Sequence, residues 1–333
     1  MFEQKTVFVI GAGASREVGM PLGEELKGKI SEFLRWDRSY SGGFREMCER
    51  YVSQPNQYRD AALSITRGLP HAISIDNFLH THAENEEIKT VGKMAIVKCI
   101  LESESVSLLS QFKYSNTDTI NPHDLPDFSK FWCEAFFKMA NEFVSSDDVA
   151  DIFSNVSMIV FNYDRCIEFY IWKALQRYFL ISEIDSLNIV KSMNIVHVYG
   201  SVGDIVGNWG GDTRFGLDLD FHSLQKRSLE VKTFTEQKDS RKSQEIQSIL
   251  KKSEVIVFLG FSFMEINLKI LEIDTSSSAR VYGTSYGISD QNQIFIKRKL
   301  CELLKLSSNP IVSLENEKCG NFLENYRSPI LHG

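Results

Sequence analysis

Four short segments of this chain carry residues that could do chemistry, and each follows an apolar run. The first is Gly11-Ala12-Gly13-Ala14-Ser15, directly after Thr6–Ile10. Glycines behind a strand let the backbone approach a pyrophosphate, and the N-terminus of the next helix favours its charge. The second is Phe161-Asn162-Tyr163-Asp164, where an Asn and an Asp two residues apart point the same way. The third is His197-Val198-Tyr199-Gly200-Ser201. Its imidazole, with an unperturbed pKa of about 6.5, suits a general base. The fourth is Gly260-Phe261-Ser262, with Asn267 just beyond. Each segment has a purely structural alternative. These are a tight turn, a helix cap at Asp164, a histidine that only packs, and a glycine at a helix–strand contact. Together the four lie at the carboxyl ends of expected strands, where open α/β sheets bind ligands.

The elements that must position them follow from the apolar spacing. Strands are expected at Thr6–Ile10, Val156–Phe161, Asn194–Tyr199, Glu254–Leu259 and Arg280–Tyr282. Leu22, Leu26, Ile30 and Leu34 recur every four residues and mark the first helix. Further helices are expected at Asp164–Tyr178, Gln244–Lys252, Glu265–Leu271 and Asp290–Leu304. Strands alternating with helices predict an α/β fold: a Rossmann-like, mostly parallel sheet covered on both faces. Residues 36–150 contain no clear strand. They hold two helical faces, Ile88/Val91/Ala95/Cys99 and Phe128/Trp132/Ala135/Phe136/Met139/Phe143, around a loop at 114–127 with Pro122 and Pro126. The expected organisation is one domain over 1–333 with a helical insertion at 36–150. Residues 200–225 read as Gly-rich and irregular.

Composition narrows the class. The chain has 333 residues, with 37 basic and 44 acidic side chains and a net charge of −7. Direct nucleic-acid binding is therefore not expected, and the basic stretch Lys226–Lys252 reads as a solvated helical face. The longest apolar stretch, Val255–Met264, is about half a membrane span. With no export signal at the start, the expected location is the cytoplasm, and the six cysteines are expected to be reduced. None of them forms a C-x-x-C pair, so no zinc or other metal site is expected. Arg16 stands where a G-x-G-x-x-G fingerprint needs its third glycine. No acidic residue ends a second strand ~20 residues on, which disfavours a hydride-transfer dehydrogenase. There is no G-x-x-x-x-G-K-[ST] loop either, so any ATP-driven step belongs to another polypeptide.

Gly11–Ser15 with Gly19-Met20-Pro21, then Asn162-Tyr163-Asp164, then His197 to Ser201, occur in the order of the sirtuin motifs. The segments Ser74–Phe78, Phe161–Glu168 and Val196–Gly203 resemble the SIR2-like branch of bacterial anti-phage defence proteins, in particular the subunits that pair with HerA-type ATPases. The resemblance implies a fold that binds NAD+ and cleaves its nicotinamide–ribose bond. It assigns Asn162 and His197 to catalysis and Asp164 to the ribose side. Gly11, Ala12, Gly13, Ala14 and Ser15 would take the pyrophosphate, and Gly260, Ser262 and Asn267 the adenosine half. It also implies a homo-oligomer that docks on a hexameric HerA-type ATPase. The chain departs from the deacylase pattern in three places. Tyr199, not a histidine, directly precedes Gly200; Leu22-Gly23 replaces the Arg-bearing end of the first motif; and the four zinc-binding cysteines are absent. A protein deacylase is thereby disfavoured. An NAD+- or ADP-ribose-sensing module that regulates a partner is the main alternative to a hydrolase. Asp76 could cap a helix or belong to the site.

Overall fold

In a computed structural model of the chain, residues 1–37, 42–114, 127–205, 214–233, 236 and 241–332 are described. Six strands form one all-parallel sheet: β1 (Thr6–Ile10), β2 (Val156–Val160), β3 (Asn194–His197), β4 (Val255–Leu259), β5 (Arg280–Thr284) and β6 (Val312–Glu315). Their order is β3-β2-β1-β4-β5-β6. All five residues of β1 and of β4 are buried, as unbroken apolar runs must be when helices cover both faces of a sheet. β1 pairs with β2 on one side and β4 on the other, in register Ile10–Val160 and Ile10–Leu259. The chain reverses its direction of winding between β1 and β4. A crevice therefore opens outside their carboxyl ends, as in dinucleotide-binding α/β sheets. This is the Rossmann-like parallel α/β architecture expected from the strand–helix alternation.

The edge strand β6 was not expected. It is only four residues long and carries Ser313 and Glu315, too short and polar to stand out from a loop. Two expected strands also end early. Val198 and Tyr199 belong to a turn, closed by the Gly200 N–H donating to the His197 carbonyl at 3.2 Å. Gly200 holds φ +76°, and a Cβ there would lie 1.9 Å from the Glu230 carbonyl oxygen. The turn needs a glycine.

Before β2 the helices are α1 (Ala12–Ser15), α2 (Gly23–Phe33), α3 (Phe44–Tyr51), α4 (Asn56–Gly68), α5 (Ile75–Thr81), α6 (Glu86–Val106) and α7 (Trp132–Ala140). After β2 come α8 (Cys166–Phe179) and α9 (Glu183–Ser192), and after β3 comes α10 (Phe221–Ser228). The last of these starts inside the stretch 200–225 expected to be irregular and ends inside the basic stretch expected to be helical. Residues 115–126 of the expected 114–127 loop, 206–213 of the Gly-rich stretch, and 234, 235 and 237–240 of the basic stretch lie outside the described residues.

Among the described residues, the 36–150 span is helical with no strand. Its spine is α6. The predicted face Ile88, Val91, Ala95 and Cys99 is buried, and so are Met94, Ile96, Val97, Ile100 and Leu101. A helix buried on several sides must also bury polar groups, and these are paired. Lys93 meets Glu236 at 2.8 Å, Lys98 meets Asp218 at 2.5 Å, and Glu104 meets Arg165 at 2.5 Å. The last pair is 0% and 1% exposed and locks α6 to the start of α8. Arg165 also donates to the carbonyl of Asp204, and the Gly216 N–H donates to Glu104. The loop after β3 is thereby tied to the same charge.

The aromatic segment around α7 could bury its apolar side within its own domain or offer it to another subunit, and the described contacts pack it within the chain. Phe131 packs on Tyr170, Phe136 on Phe8, and Phe137 on Phe179. No helix among the described residues is long and apolar enough to cross a membrane.

Candidate functional site

The glycine turn after β1 and the glycine after β4 touch. A Cβ on Gly11 would lie 2.5 Å from the Gly260 carbonyl oxygen, and one on Gly13 would lie 2.8 Å from the Gly260 Cα. Gly260 itself has φ +56°, and its Cβ would lie 2.0 Å from the Ala14 nitrogen. Gly260 therefore serves packing at the switch point, whatever else it does. It also takes backbone donors out of play: Gly13 N–H donates to Gly260 O at 3.0 Å, and Gly11 N–H to Leu259 O at 3.0 Å. Gly260→Ala combines this overlap with a left-handed backbone that alone costs about 1–2 kcal/mol. We expect its melting temperature to fall by at least ~5 °C, read by circular dichroism; an unchanged melting curve contradicts the packing.

The crevice above this contact is a cavity of about 890 Å³, near the upper end of the ~300–1,000 Å³ typical of small-molecule sites. Residues at or just beyond the ends of all six strands line it. They include Gly11–Gly13, Phe161–Asp164, Tyr199, Gly260–Ser262, Thr284–Tyr286 and Glu317–Cys319. The start of α2 and the insertion segment Ile73–Asp76 complete the wall with Pro21, Leu22, Ile73, Ser74 and Asp76. Asn267 lines it too.

Three expected site residues form one hydrogen-bonded unit. Asn162 Nδ2 donates to the Gly11 carbonyl at 3.1 Å and to Ser15 Oγ at 3.0 Å. Ser15 Oγ in turn donates to Asp164 Oδ1 at 3.0 Å. The Gly11 carbonyl can only accept, so it fixes which way the Asn162 amide faces. Among the described residues Asn162 Oδ1 is left buried without a partner, on a residue 5% exposed that lines the cavity. A buried acceptor left unmade costs about 1–3 kcal/mol, which a ligand hydroxyl or water would recover. Asp164 also takes the N–H of Cys166, the first residue of α8, at 3.1 Å, while the helix's N-cap position belongs to Arg165. Burial pushes the Asp164 carboxyl above the ordinary range, against the bonds from Cys166 and Ser15.

His197 lies elsewhere. It does not line the cavity, and both of its ring nitrogens are engaged. Nδ1 sits 3.1 Å from the Asn162 carbonyl and Nε2 sits 2.7 Å from Glu168 on α8. The residue that faces the cavity from this segment is Tyr199, whose hydroxyl donates to Asn267 Oδ1 at 2.6 Å. Sequence reasoning put His197 and Tyr199 on one face of a strand. The turn at Gly200 breaks that geometry, so the base role expected for His197 is not what this arrangement supplies. Its visible task is to hold the Asn162 main chain.

The His197–Glu168 pair carries a pH signature. Burial pulls the imidazole down, but the Glu168 charge and the bonds to Glu168 and Asn162 raise it above its ordinary value. Burial pushes Glu168 up, but the His197 charge and bond draw it below its ordinary value. A raised histidine stabilises fully below its unfolded pKa of ~6.5, and the gain is lost as pH rises through the folded value. A lowered glutamate stabilises above its unfolded ~4.3, and that gain is lost as pH falls through its folded value. The stability lost in His197→Gln should thus be largest between about pH 4.5 and 6.5 and shrink on the alkaline side. Urea midpoints of both proteins across pH test this; a difference that keeps growing as pH rises above about 6.5 refutes the pairing.

Asp76 is not a cap. Ser74 Oγ caps α5 by accepting from the Asn77 N–H at 3.1 Å, while Asp76 faces the cavity and accepts from the Tyr163 hydroxyl. Sequence order alone could not show this, because 87 residues separate Asp76 from Tyr163. Glu17 also lines the cavity, but its two oxygens take the Trp132 and Gly320 N–H groups at 2.9 and 3.2 Å. Burial raises its pKa. Arg16 pairs with Glu25 at 2.7 Å, and the thiol of Cys319 is pushed up to about 12 by burial. Ser262 and Asn267 line the cavity as expected for a ligand wall. Ala14 and Ser15 are buried in α1 beneath the turn. Among the described residues no three His, Cys, Asp or Glu side chains gather as a metal cluster.

The strand order and the strand-end cavity together define a Rossmann-like parallel α/β protein with a candidate ligand site at its switch point. No protein-family model matches the chain. No curated protein matches it. Among solved structures, one of a SIR2 homolog–NAD complex matches at a TM-score of 0.36 and 12% identity, over 98% of this chain and 90% of that one. At that score the likeness carries no argument, and the fold rests on the sheet itself.

Proposed function

We propose that the cavity binds NAD+ and that the protein hydrolyses the nicotinamide–ribose bond to nicotinamide and ADP-ribose. The observation that carries this reading is the orphaned Oδ1 of Asn162, whose amide nitrogen is held by Gly11 and Ser15, at a strand-end cavity of about 890 Å³. A ribose hydroxyl or the attacking water supplies the donor it lacks. The glycine turn keeps side chains off the approach to the pyrophosphate, and Gly11, Ala12 and Gly13 line the cavity there. Asp164 and Ser15 orient Asn162, His197 steadies its main chain, and Ser262 and Asn267 face the rest of the dinucleotide with Gly260 beneath.

The chemistry suits the charges. Nicotinamide leaves a cationic pyridinium as a neutral molecule, so its departure needs no acid. Positive charge develops on the ribose as in other glycoside cleavages. The wall offers carboxylates at Glu17, Asp76, Asp164 and Glu317, against Arg16, itself paired, and Lys318. Such a wall favours a cationic reacting end.

Incubating the purified chain with NAD+ and following nicotinamide release tests the reading. Release at a rate strongly reduced in Asn162→Ala is the expected outcome. Absence of both release and NAD+ binding by calorimetry overturns it. Binding without release is the mark of the second reading, a sensor of NAD+ or ADP-ribose. One observation favours that reading: no imidazole faces the cavity from the His197–Ser201 segment.

The resemblance to defence proteins extends the reading to NAD+ depletion during phage infection, by a homo-oligomer docked on a HerA-type ATPase. A 38.1 kDa monomer in light scattering rejects the oligomer. Failure to co-purify with such an ATPase leaves a stand-alone hydrolase.

A further inference from the structure

We propose that Asp76, delivered by the helical insertion, is the catalytic base that takes the proton from the attacking water. The inference rests on the hydrolase reading above and names a residue for the step that reading leaves without one. His197 is spent on Asn162 and Glu168, and Tyr199 is spent on Asn267. Burial, then the neighbouring Asp76 charge, raises Tyr199 further above a phenol's ordinary pKa, so it stays protonated and cannot accept.

Asp76 differs from the other carboxylates of the cavity. Glu17 is committed to two backbone N–H groups, Asp164 to Ser15 and Cys166, and Glu317 through both oxygens to the Asn325 amide. For Asp76 the described bonds are the Tyr163 hydroxyl and the backbone of its own helix turn. Tyr163 stands between Asn162 and Asp164 in the chain, so the bond ties Asp76 to the same loop that presents the orphaned Asn162 oxygen. Burial lifts the Asp76 carboxyl above its ordinary range, which brings a weak base closer to a useful one.

The step balances without a further reactant. Water oxygen attacks C1′ of the ribose, and Asp76 takes one water proton. The C1′–N bond breaks with its electron pair passing to the pyridinium nitrogen, which leaves as neutral nicotinamide. Asp76 then returns the proton to solvent. The insertion thus supplies part of the active site rather than only a surface.

The test uses the full chain, with nicotinamide release and NAD+ binding by calorimetry measured on each variant. Asp76→Asn is expected to lower kcat by ~10²-fold or more, with Kd for NAD+ changed by less than ~3-fold. A rate within ~3-fold of wild type overturns the proposal and leaves the hydrolase reading intact. Loss of binding in step with rate also overturns it, since Asp76 would then hold ground-state substrate.

Tyr163→Phe gives a second test that removes no charge. The groups facing Asp76 are the Tyr163 and Tyr199 hydroxyls, with His80 one turn on along its own helix and Glu236 acting on Tyr163. The Tyr163 bond lowers the Asp76 pKa. Its removal should move the acid limb of the kcat/KM profile to higher pH. An acid limb that stays in place or moves down overturns the proposal. A wild-type chain that binds NAD+ and releases no nicotinamide overturns it while keeping the pocket. A chain that does not bind NAD+ overturns the proposed function as well.

Discussion

Asn162→Ala should reduce NAD+ cleavage by about 10²–10³-fold, the loss expected when one positioned polar group is removed from a buried site. The side chain does two things at once. Its amide nitrogen ties the Gly11 carbonyl to Ser15, and its oxygen is buried without a partner at the cavity wall. The structural part of the loss is bounded. The Gly11 carbonyl and Ser15 Oγ each lose one partner, at a cost of about 1–3 kcal/mol in stability per unsatisfied group. Ser15 keeps its bond to Asp164. The variant should therefore fold, with a lowered melting temperature and native far-UV dichroism, and yet turn over only at that reduced rate. Cleavage at the wild-type rate in a folded variant would remove Asn162 from the site and with it the central support of the hydrolase reading.

The largest effect on stability should come from the fully buried pair Glu104–Arg165. Breaking one partner strands the other charge, which typically costs about 3–5 kcal/mol. Glu104 accepts from Arg165 through both oxygens and from the Gly216 N–H, so its removal also loosens the loop after β3. Glu104→Ala is expected to unfold at markedly lower urea than wild type. Glu104→Ala with Arg165→Met should recover part of that loss, because no buried charge is then left unpaired. A single variant as stable as wild type, or a double variant less stable than the single one, would mean that the pair does not hold α6 to α8. The same link matters for function, since α6 follows α5, the helix that carries Asp76 to the cavity.

Much of the sheet was legible in the sequence, and the reason is physical. Strands buried on both faces must be unbroken apolar runs, and Thr6–Ile10 and Val255–Leu259 are such runs. Glycines directly after them announce close backbone approach, and Gly11 and Gly260 do meet. Asn162, Asp164 and Ser15 could be picked out because polar residues at strand ends have few reasons to be there, and they lie in one hydrogen-bonded unit. The short polar β6 and the helix α10 gave no comparable periodic signal.

What sequence periodicity could not decide was direction. Two residues on a strand share a face, so His197 and Tyr199 looked interchangeable until the left-handed Gly200 turned Tyr199 into the cavity and left His197 behind it. Nor could spacing along the chain reveal that Asp76 reaches Tyr163, or that Glu104 reaches Arg165 across 61 residues. Such pairs are set by how the helices between β1 and β2 pack against the elements that follow. The sequence by itself determined a parallel sheet with a glycine-lined switch point, because burial and backbone approach leave local marks. Tertiary structure alone decided which titratable groups face the cavity, because contacts between segments far apart in the chain leave none.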